Sequence, residues 1–214
     1  MSSDIRKAAS VIAVRDGVDG PEVLVVRRSS ASRFLPGYVV FPGGAVDADD
    51  AELAASWFGS PDEAARAGAV RELAEEAGLV LTAEGLVPAE GDAPLAAAMA
   101  SPPAAAQLYE MAHWVAPDSV PVRFDARYFG VAASAALMPA ADGHEAEEAW
   151  WASPRALLEG WAAERHKLYW PTYFTMNRLA DCASAADLLA LRIATREADD
   201  DEEDRLPRSV FWQE

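Results

Sequence analysis

The sequence predicts an α+β domain with a mixed β-sheet and additional helices at its C-terminal end. The 214 residues are 51% hydrophobic, which suits one globular domain with a substantial core. Strand-like segments come first, one central helix follows, and further strands precede a group of helices. A doubly wound sheet would alternate strands and helices throughout, so this order disfavours it. We expect a single domain over residues 1–197 and an acidic, flexible tail over 198–214.

The N-terminal part is predicted to form strands. Residues 8–15 and 22–28 are rich in Val, Ile and Leu, and the turn-forming segment 16–21 separates them. A short apolar run at 38–41 follows, and Pro42-Gly43-Gly44 interrupts it. This pattern predicts two adjacent strands, a loop and a third short strand.

The central helix is predicted to begin at Ser60-Pro61 and to end at Ala77, before Gly78. Ser60 is a helix-capping residue, and Glu63 can complete a capping box with it. A shorter helix within an insertion at about 45–58 precedes this one. The sequence therefore predicts two successive helices between the early and the later strands.

The second half contains further strands and the C-terminal helices. The Ala-rich segment 92–110 is predicted to be a loop with a short helix. Strands are predicted near residues 111–115, 122–136 and 145–151. The C-terminal helices, over about 154–196, divide into the segments 154–163, 171–181 and 184–196.

Composition excludes several classes of function. A net charge of −17 argues against general nucleic-acid binding, which needs a basic surface. The sequence contains no run of about 18 apolar residues, so it predicts no membrane span. The chain has one cysteine, Cys182, and its N-terminus lacks a signal-peptide pattern, so we expect a cytoplasmic protein. Residues 1–44 carry six Lys/Arg and four Asp/Glu, a net charge of +2. The basic residues of this segment could therefore bind an anionic substrate.

The segment Arg71–Leu79 carries the most informative pattern in the chain. Glu72, Glu75 and Glu76 have i, i+3 and i+4 spacing, which places three carboxylates on one face of a helix. Oxygen ligands of this kind suit Mg²⁺ or Mn²⁺. A solvated acidic helix face is the alternative, and spacing alone does not separate the two.

This segment resembles the helical half of the Nudix box, Arg-Glu-apolar-x-Glu-Glu-x-Gly-apolar, and Phe41-Pro42-Gly43-Gly44 resembles its opening. The resemblance implies an α/β/α sandwich and a metal-dependent hydrolase of diphosphates. It implies that Glu72, Glu75 and Glu76 hold the metal and that Arg71 orients these carboxylates. Glu72 is the candidate to accept a proton from the attacking water.

The spacing inside the box departs from the family. The family has about 13 residues between the opening glycine and the arginine, whereas 26 residues separate Gly44 from Arg71. Glu63 lies eight residues before Arg71, where the box has another glutamate. We favour a capping role for Glu63 over metal binding, because it would lie roughly 180° from Glu72 on a continuous helix.

A second pattern concerns the substrate. The run from Arg28-Ser29 through Arg33 and Gly37 to Gly43-Gly44 resembles the motif upstream of the box in Nudix enzymes that cleave coenzyme A. The resemblance implies that Arg28 and Arg33 contact phosphate oxygens and that Gly43 and Gly44 let the backbone approach the substrate. The alternative is that Arg27 and Arg28 simply end a strand at the surface, and we expect this for one of them, because neighbours on a strand point to opposite faces.

Further features are similar to the peroxisomal coenzyme A diphosphatase branch. These are the long insertion, Arg123-Phe124-Asp125 and Trp151-Ala152-Ser153-Pro154. The chain ends Phe-Trp-Gln-Glu, without a Ser-Lys-Leu-type peroxisomal address, so the expected location remains cytoplasmic.

Two groups of later residues are candidates for the site. In this fold a later loop often supplies another metal ligand, and Glu145 is the candidate for that ligand. The alternative is that the acidic run around Glu145 is only a solvated turn. Aromatic residues that could stack on an adenine are Trp150, Trp151, Tyr169 and Trp170, although core packing is the default interpretation.

These observations predict hydrolysis of coenzyme A or acyl-coenzyme A to 3′,5′-adenosine bisphosphate and a 4′-phosphopantetheine product. Mg²⁺ or Mn²⁺ is the expected cofactor. We expect the protein to bind neither nucleic acid nor a membrane. One alternative is a Nudix diphosphatase acting on ADP-ribose, NADH or another nucleoside diphosphate linked to a second moiety. Another is a non-catalytic Nudix domain that senses its ligand. A homodimer is compatible with the resemblance, but the sequence locates no interface.

Overall fold

A computed structural model of the chain describes residues 5–116, 123–193 and 196–197. The strands are β1 (Arg6–Gly17), β2 (Gly20–Arg28), β3 (Tyr38–Val40), β4 (Gly43–Ala45), β5 (Leu79–Thr82), β6 (Gly85–Pro88), β7 (Tyr109–Val115), β8 (Phe124–Ala132), β9 (Ala146–Ala152), β10 (Lys167–Leu168) and β11 (Arg196–Glu197). The α-helices are α1 (Asp50–Phe58), α2 (Ala64–Ala77), α3 (Ala96–Ala100), α4 (Pro154–Ala162), α5 (Trp170–Leu179) and α6 (Ala185–Ala190).

The main sheet is mixed and has β1 near its centre. Its strand order is β10-β3-β2-β1-β8-β7-β11, with β4 also paired to β1 and β9 to β2. β1 and β2 form an antiparallel hairpin, whereas β1 and β8 run parallel from Arg6 opposite Phe124 to Val14 opposite Ala132. The prediction of a mixed sheet in an α+β fold is confirmed.

The two faces of the central strands pack against different helices. Val11 and Ala13 of β1 point into one apolar core with residues of α1 and α2, whereas Ile12 and Val14 point into a second core with residues of α4, α5 and α6. Successive side chains of a strand project to opposite faces, so both faces of β1 are apolar. The middle of this strand is therefore covered on both faces, and the layers form the predicted α/β/α sandwich.

The central helix starts and stops where the sequence predicts. Ser60 Oγ accepts a hydrogen bond from the Asp62 N–H, and one turn of 3₁₀ helix leads into α2. Gly78 ends the helix with φ 62°, a left-handed conformation that favours glycine. Glu63 forms an ion pair with Arg66, one turn along, instead of closing the predicted capping box.

Two features of the structure differ from the sequence-based expectations. A β-hairpin of β5 and β6, which the sequence pattern did not predict, follows α2. The last helix ends at Ala190, so its predicted extension to residue 196 is wrong. Leu191 is already extended, and the Ile193 N–H donates to the Met111 carbonyl at 2.7 Å, because the chain joins the edge of the sheet beside β7.

The predicted tail over 198–214 lies outside the described residues. No helix in the described part of the chain has the length and apolarity to cross a bilayer.

Candidate functional site

Two glutamates of α2 are buried where the helix packs against β1 and β4. Glu72 and Glu76 are only 8% and 1% exposed and lie one turn apart. Glu75, by contrast, has a side chain that is 47% exposed. The predicted acidic face is therefore not a uniformly solvated surface, since its two i, i+4 members point into the protein.

A third carboxylate reaches these two from a distant part of the chain. One oxygen each of Glu72, Glu76 and Glu145 lie within 4.8 Å of one another. The Asp142 carboxylate accepts hydrogen bonds from the backbone N–H groups of Glu145 and Ala146 and so fixes the turn before β9. We call Glu72, Glu76 and Glu145 the carboxylate cluster. Glu75, which was also predicted to bind metal, lies outside this group.

The electrostatics of the cluster favour a bound cation. Burial raises the pKa of Glu72 from 4.5 to about 7, against the opposing effect of Arg71, and the pKa of Glu76 to about 8. Repulsion from Glu145 adds to both shifts, and Glu75 and Glu72 add to those of Glu72 and Glu76, respectively. The Gly43 N–H and Arg28 act in the opposite direction on Glu76 without cancelling its shift. The donors are all carboxylate oxygens, and the positive charge nearby is too small to neutralise them. Such a set of donors fits a hard divalent cation such as Mg²⁺ or Mn²⁺.

Arg71 connects the carboxylates of α1 and α2. Its Nη1 donates to Glu72 and Glu75, each at 2.9 Å, while Nε donates to Asp50 Oδ1 at 2.9 Å and Nη2 to Asp50 Oδ2 at 3.1 Å. Nη2 also donates to the Ala45 carbonyl at 3.0 Å. This geometry agrees with the orienting role that was predicted for Arg71.

Sequence reasoning missed Asp50, which is fully buried at the start of α1. Counted forward from Gly44, the usual spacing of the box places the additional carboxylate at residue 50, whereas the same spacing counted back from Arg71 points to Glu63. Asp50 lies within the insertion predicted at about 45–58, and α1 (Asp50–Phe58) is the helix of that segment.

The two glycines of the box lie against the buried glutamates. The Gly43 N–H donates to Glu76 Oε2 at 2.9 Å. A Cβ atom on Gly44 would overlap the carboxylate of Glu72. Both positions therefore require close approach of the backbone to a side chain of the carboxylate cluster.

The two predicted phosphate-binding arginines occupy different positions. Arg28 Nη1 lies 3.7 Å from Glu76 Oε1, and its Nε donates to the Phe34 carbonyl at 3.1 Å. Arg33 is exposed in the loop that follows β2 and is not among the residues lining the adjacent cavity. The structure thus brings Arg28 to the site but leaves Arg33 on the surface.

A cavity of about 270 Å³ adjoins the carboxylate cluster along Gly43 and Gly44. Its walls are mostly apolar and aromatic. The aromatic residues that line it are Phe34, Phe41, Trp114, Phe124, Tyr128, Tyr169 and Trp170. Of the four aromatic residues proposed from the sequence, Tyr169 and Trp170 line this cavity, whereas Trp150 and Trp151 do not.

Comparison with known proteins identifies the family. The profile described as "NUDIX domain" matches residues 4–171, which is more than half of the chain. A crystal structure of a NUDIX hydrolase from Alicyclobacillus acidocaldarius is similar over 91% of this chain and 100% of that chain, with a TM-score of 0.76 and 32% identity.

A curated relative in Caenorhabditis elegans, named "Putative nudix hydrolase 7", is 38% identical over 85 residues. That match covers 40% of this chain, and the chain spans only 25% of the length of that relative. The profile and the full-length structural match are together sufficient for an assignment: this chain belongs to the Nudix family.

Proposed function

We propose that this chain is a metal-dependent Nudix diphosphatase that hydrolyses coenzyme A or an acyl-coenzyme A. The observation that carries the enzymatic part is the convergence of Glu72, Glu76 and Glu145 beside a cavity that Arg28 also lines. A domain that only bound its ligand would have no need for buried carboxylates with raised pKa values.

Each residue of the site has a part in this proposal. Glu72, Glu76 and Glu145 would hold the metal, with Glu75 as a further ligand after a change of side-chain conformation. When bound, a divalent cation neutralises charge on the diphosphate oxygens and lowers the pKa of bound water. Arg71 keeps Glu72 in place, and Arg28 offers a planar guanidinium to a phosphate oxygen at the entrance of the cavity.

Glu72 is the proposed general base. Arg71 holds its carboxylate within the carboxylate cluster, where water bound to the metal would lie. In this proposal Glu72 takes the proton of the attacking water. The proposed products are 3′,5′-adenosine bisphosphate and a 4′-phosphopantetheine compound.

The choice of coenzyme A rests on the motif from Arg28 to Gly44. Its glycines lie against the carboxylate cluster, and Arg28 lies at the entrance of the cavity, which supports a substrate-binding role for these positions. ADP-ribose and NADH contain the same diphosphate linkage, so they are the alternative substrates within this class.

A panel of substrates tests the proposal. Coenzyme A, acetyl-coenzyme A, ADP-ribose and NADH are each incubated with the protein and Mg²⁺ or Mn²⁺, and the products are identified by mass. We expect the coenzyme A compounds to be cut at the diphosphate. Turnover of ADP-ribose or NADH alone would replace the substrate assignment, and ligand binding without turnover of any of them would indicate a sensor domain.

A further inference from the structure

Trp151 does not line the cavity, and its contacts indicate another role. Its indole N–H donates a hydrogen bond to the Leu137 carbonyl at 2.8 Å. Its ring lies against the Arg15 guanidinium, with the Arg15 Cζ 4.5 Å from the ring centroid. Leu137 belongs to the connection between β8 and β9, residues 133–145, which the structure describes throughout and which contains no helix or strand. Trp151 therefore attaches an irregular segment of the chain to the sheet.

Arg15 binds the same segment with its guanidinium. Nη1 donates to the carbonyls of Ala135 and Leu137, each at 3.0 Å, while Nε forms an ion pair with Glu22 at 2.7 Å. The Arg15 side chain is only 14% exposed, so these contacts are largely shielded from water. The Leu137 carbonyl thus accepts two hydrogen bonds, one from Arg15 and one from Trp151. We call Arg15 and Trp151 the anchor.

Leu137 is also the residue at which the connection enters the apolar core that contains α1 and α2. Its side chain is 8% exposed, whereas Ala136 and Met138 on either side of it are exposed. The anchor holds the carbonyl of the same residue, so its backbone and its side chain are fixed together. Sliding of the chain at this point would expose Leu137 and break both hydrogen bonds. The anchor therefore sets the register of the connection.

Beyond the anchor, the connection passes the C-terminal end of α2 before it reaches Glu145. The Ala140 N–H donates to the carbonyl of Ala77, the residue directly after Glu76, at 2.9 Å. A Cβ atom on Gly78 would lie 2.8 Å from the Ala140 carbonyl oxygen, closer than van der Waals contact allows. The connection therefore lies against the helix that carries the two buried glutamates, and its path determines where Glu145 meets them.

Glu145 depends more on its surroundings than the other members of the carboxylate cluster do. Glu72 and Glu76 are buried on a helix, whereas Glu145 is exposed and belongs to the irregular connection. One of its carboxylate oxygens nevertheless lies within 4.8 Å of an oxygen of each buried glutamate, although like charges repel. The backbone of the connection must therefore hold Glu145 in place. Asp142 supplies the local hydrogen bonds, and the anchor fixes the chain that leads to this turn.

We propose that Arg15 and Trp151 are positioning residues for cation binding, and that they act by holding Glu145 against the two buried glutamates. A ligand that is in place before the cation arrives avoids a loss of conformational entropy on binding, so the anchor raises the affinity. This role differs from the stacking on adenine for which Trp151 was a candidate. The inference rests on the proposed function, since it concerns the metal that the diphosphatase requires.

The affinity for Mn²⁺ tests this inference without requiring turnover. Mn²⁺ is titrated into the full chain, and electron paramagnetic resonance measures the free ion. Groups that orient metal ligands typically contribute about 10- to 100-fold in metal affinity, so Trp151→Phe and Arg15→Ala should each weaken Mn²⁺ binding about tenfold or more. Trp151→Phe is the milder change, because it keeps an aromatic ring beside Arg15 and removes only the N–H donor.

Arg27→Ala is the matched control. Arg27 also forms an ion pair with a glutamate, Glu148 at 2.8 Å, and its Cζ lies 5.4 Å from the ring centroid of Trp150. Neither partner belongs to the connection, so the affinity for Mn²⁺ should stay at the parental value. Glu22→Gln is a second control, because it removes the ion pair of Arg15 and leaves the hydrogen bonds to the connection in place.

A double-mutant cycle separates positioning from a general loss of structure. If the anchor acts through Glu145, Arg15→Ala and Trp151→Phe should weaken Mn²⁺ binding in the parent but not in a Glu145→Gln background. A merely structural role would weaken binding by the same factor in both backgrounds. Circular dichroism and thermal melting show which variants are folded, and Trp151→Phe carries the test if Arg15→Ala does not fold.

Parental affinity for Mn²⁺ in both anchor variants would overturn the inference, and so would an equal loss in the two backgrounds. The proposed function fails separately. Binding of Mn²⁺ that depends on the anchor, in a protein that cuts none of the diphosphates, would contradict the enzyme and leave the positioning role in place. Turnover of a diphosphate by a protein whose affinity for Mn²⁺ is the same with and without the anchor would do the reverse.

Discussion

The Asp50 carboxylate accepts two hydrogen bonds from the Arg71 guanidinium, at 2.9 Å from Nε and 3.1 Å from Nη2. Asp50 begins α1 and Arg71 lies in the middle of α2, so this pair joins the two helices of the inserted box. Because two of the three guanidinium nitrogens are bound by Asp50, Nη1 is directed at Glu72 and Glu75. The position of Glu72 therefore depends on a residue that is not itself part of the carboxylate cluster.

The first prediction concerns this pair. Asp50→Asn should lower the free energy of unfolding by about 2 kcal/mol, because a buried neutral amide replaces the carboxylate that accepts two charge-assisted hydrogen bonds from Arg71. Urea denaturation measures this loss. Asp49→Asn is the control, since Asp49 is exposed and its side chain makes no capping hydrogen bond. Equal stability of the two variants would contradict the role of Asp50.

The second prediction concerns pH. The pKa values of Glu72 and Glu76 rise on folding from 4.5 to about 7 and about 8. Between pH 4.5 and about 8 the unfolded chain has released protons that the folded chain retains, so the free energy of unfolding should fall as pH rises through this window. Urea denaturation of the metal-free protein across the window measures the slope. Added Mg²⁺ should stabilise the protein more near pH 8 than near pH 5, because a metal binds the ionised carboxylates. A flat profile would contradict the raised pKa values.

The third prediction separates stability from activity at Glu76. Glu76→Gln removes a buried carboxylate that is costly to ionise, while the new amide oxygen can still accept the hydrogen bond from the Gly43 N–H. The metal-free variant should melt at a higher temperature than the parent near pH 8 and should lose most of its turnover. Glu52→Gln, an exposed change on α1, should alter neither quantity. Retained turnover in Glu76→Gln would remove this side chain from the mechanism.

The fourth prediction uses the close approach at Gly44. Gly44→Ala should displace the Glu72 carboxylate, since the added methyl would occupy its place. We expect at least a tenfold loss of turnover, about 1.4 kcal/mol in the activation barrier, with a far-ultraviolet circular dichroism spectrum like that of the parent. Gly91→Ala is the matched control, because a Cβ atom there has no neighbour within 4 Å. Parental kinetics in Gly44→Ala would show that Glu72 tolerates the displacement.

The fifth prediction tests Arg33. If Arg33 contacts substrate phosphate as the motif implies, Arg33→Ala should raise KM while kcat and the affinity for Mg²⁺ stay near parental values. The control is Arg178→Ala, an exposed arginine of α5. Arg33 is itself exposed and lies off the cavity lining. An unchanged KM would therefore restrict phosphate recognition to Arg28.

Local patterns predicted much of the fold and part of the site. The hairpin of β1 and β2 and the boundaries of α2 follow from strand composition, a Ser-Pro start and a glycine stop, all of which are local signals. The burial of Glu72 and Glu76 does not follow from their spacing. It depends on the packing of α2 against β1 and β4, which the one-dimensional pattern does not contain.

Tertiary contacts account for what the sequence did not predict. Asp50 differs from the nearby Asp47 and Asp49 in its complete burial and in its two hydrogen bonds with Arg71. The hairpin of β5 and β6 follows directly after a helix stop, where the three-residue apolar run Leu79–Leu81 alone does not indicate a strand partner. The end of α6 at Ala190 depends on pairing at the sheet edge, which overrides the helical propensity of the following residues.

The parallel pairing of β1 with β8 has a consequence for folding kinetics. Arg6 pairs with Phe124 in this ladder, and Glu145 meets Glu72 only after the chain has returned past the same strands. Contacts so distant in sequence form slowly, because the loop entropy must be lost before they contribute. We therefore expect the carboxylate cluster to be among the last features to assemble during refolding. A stopped-flow experiment could follow cation binding during refolding. The appearance of cation binding would report completion of the native topology and not the earlier formation of helix.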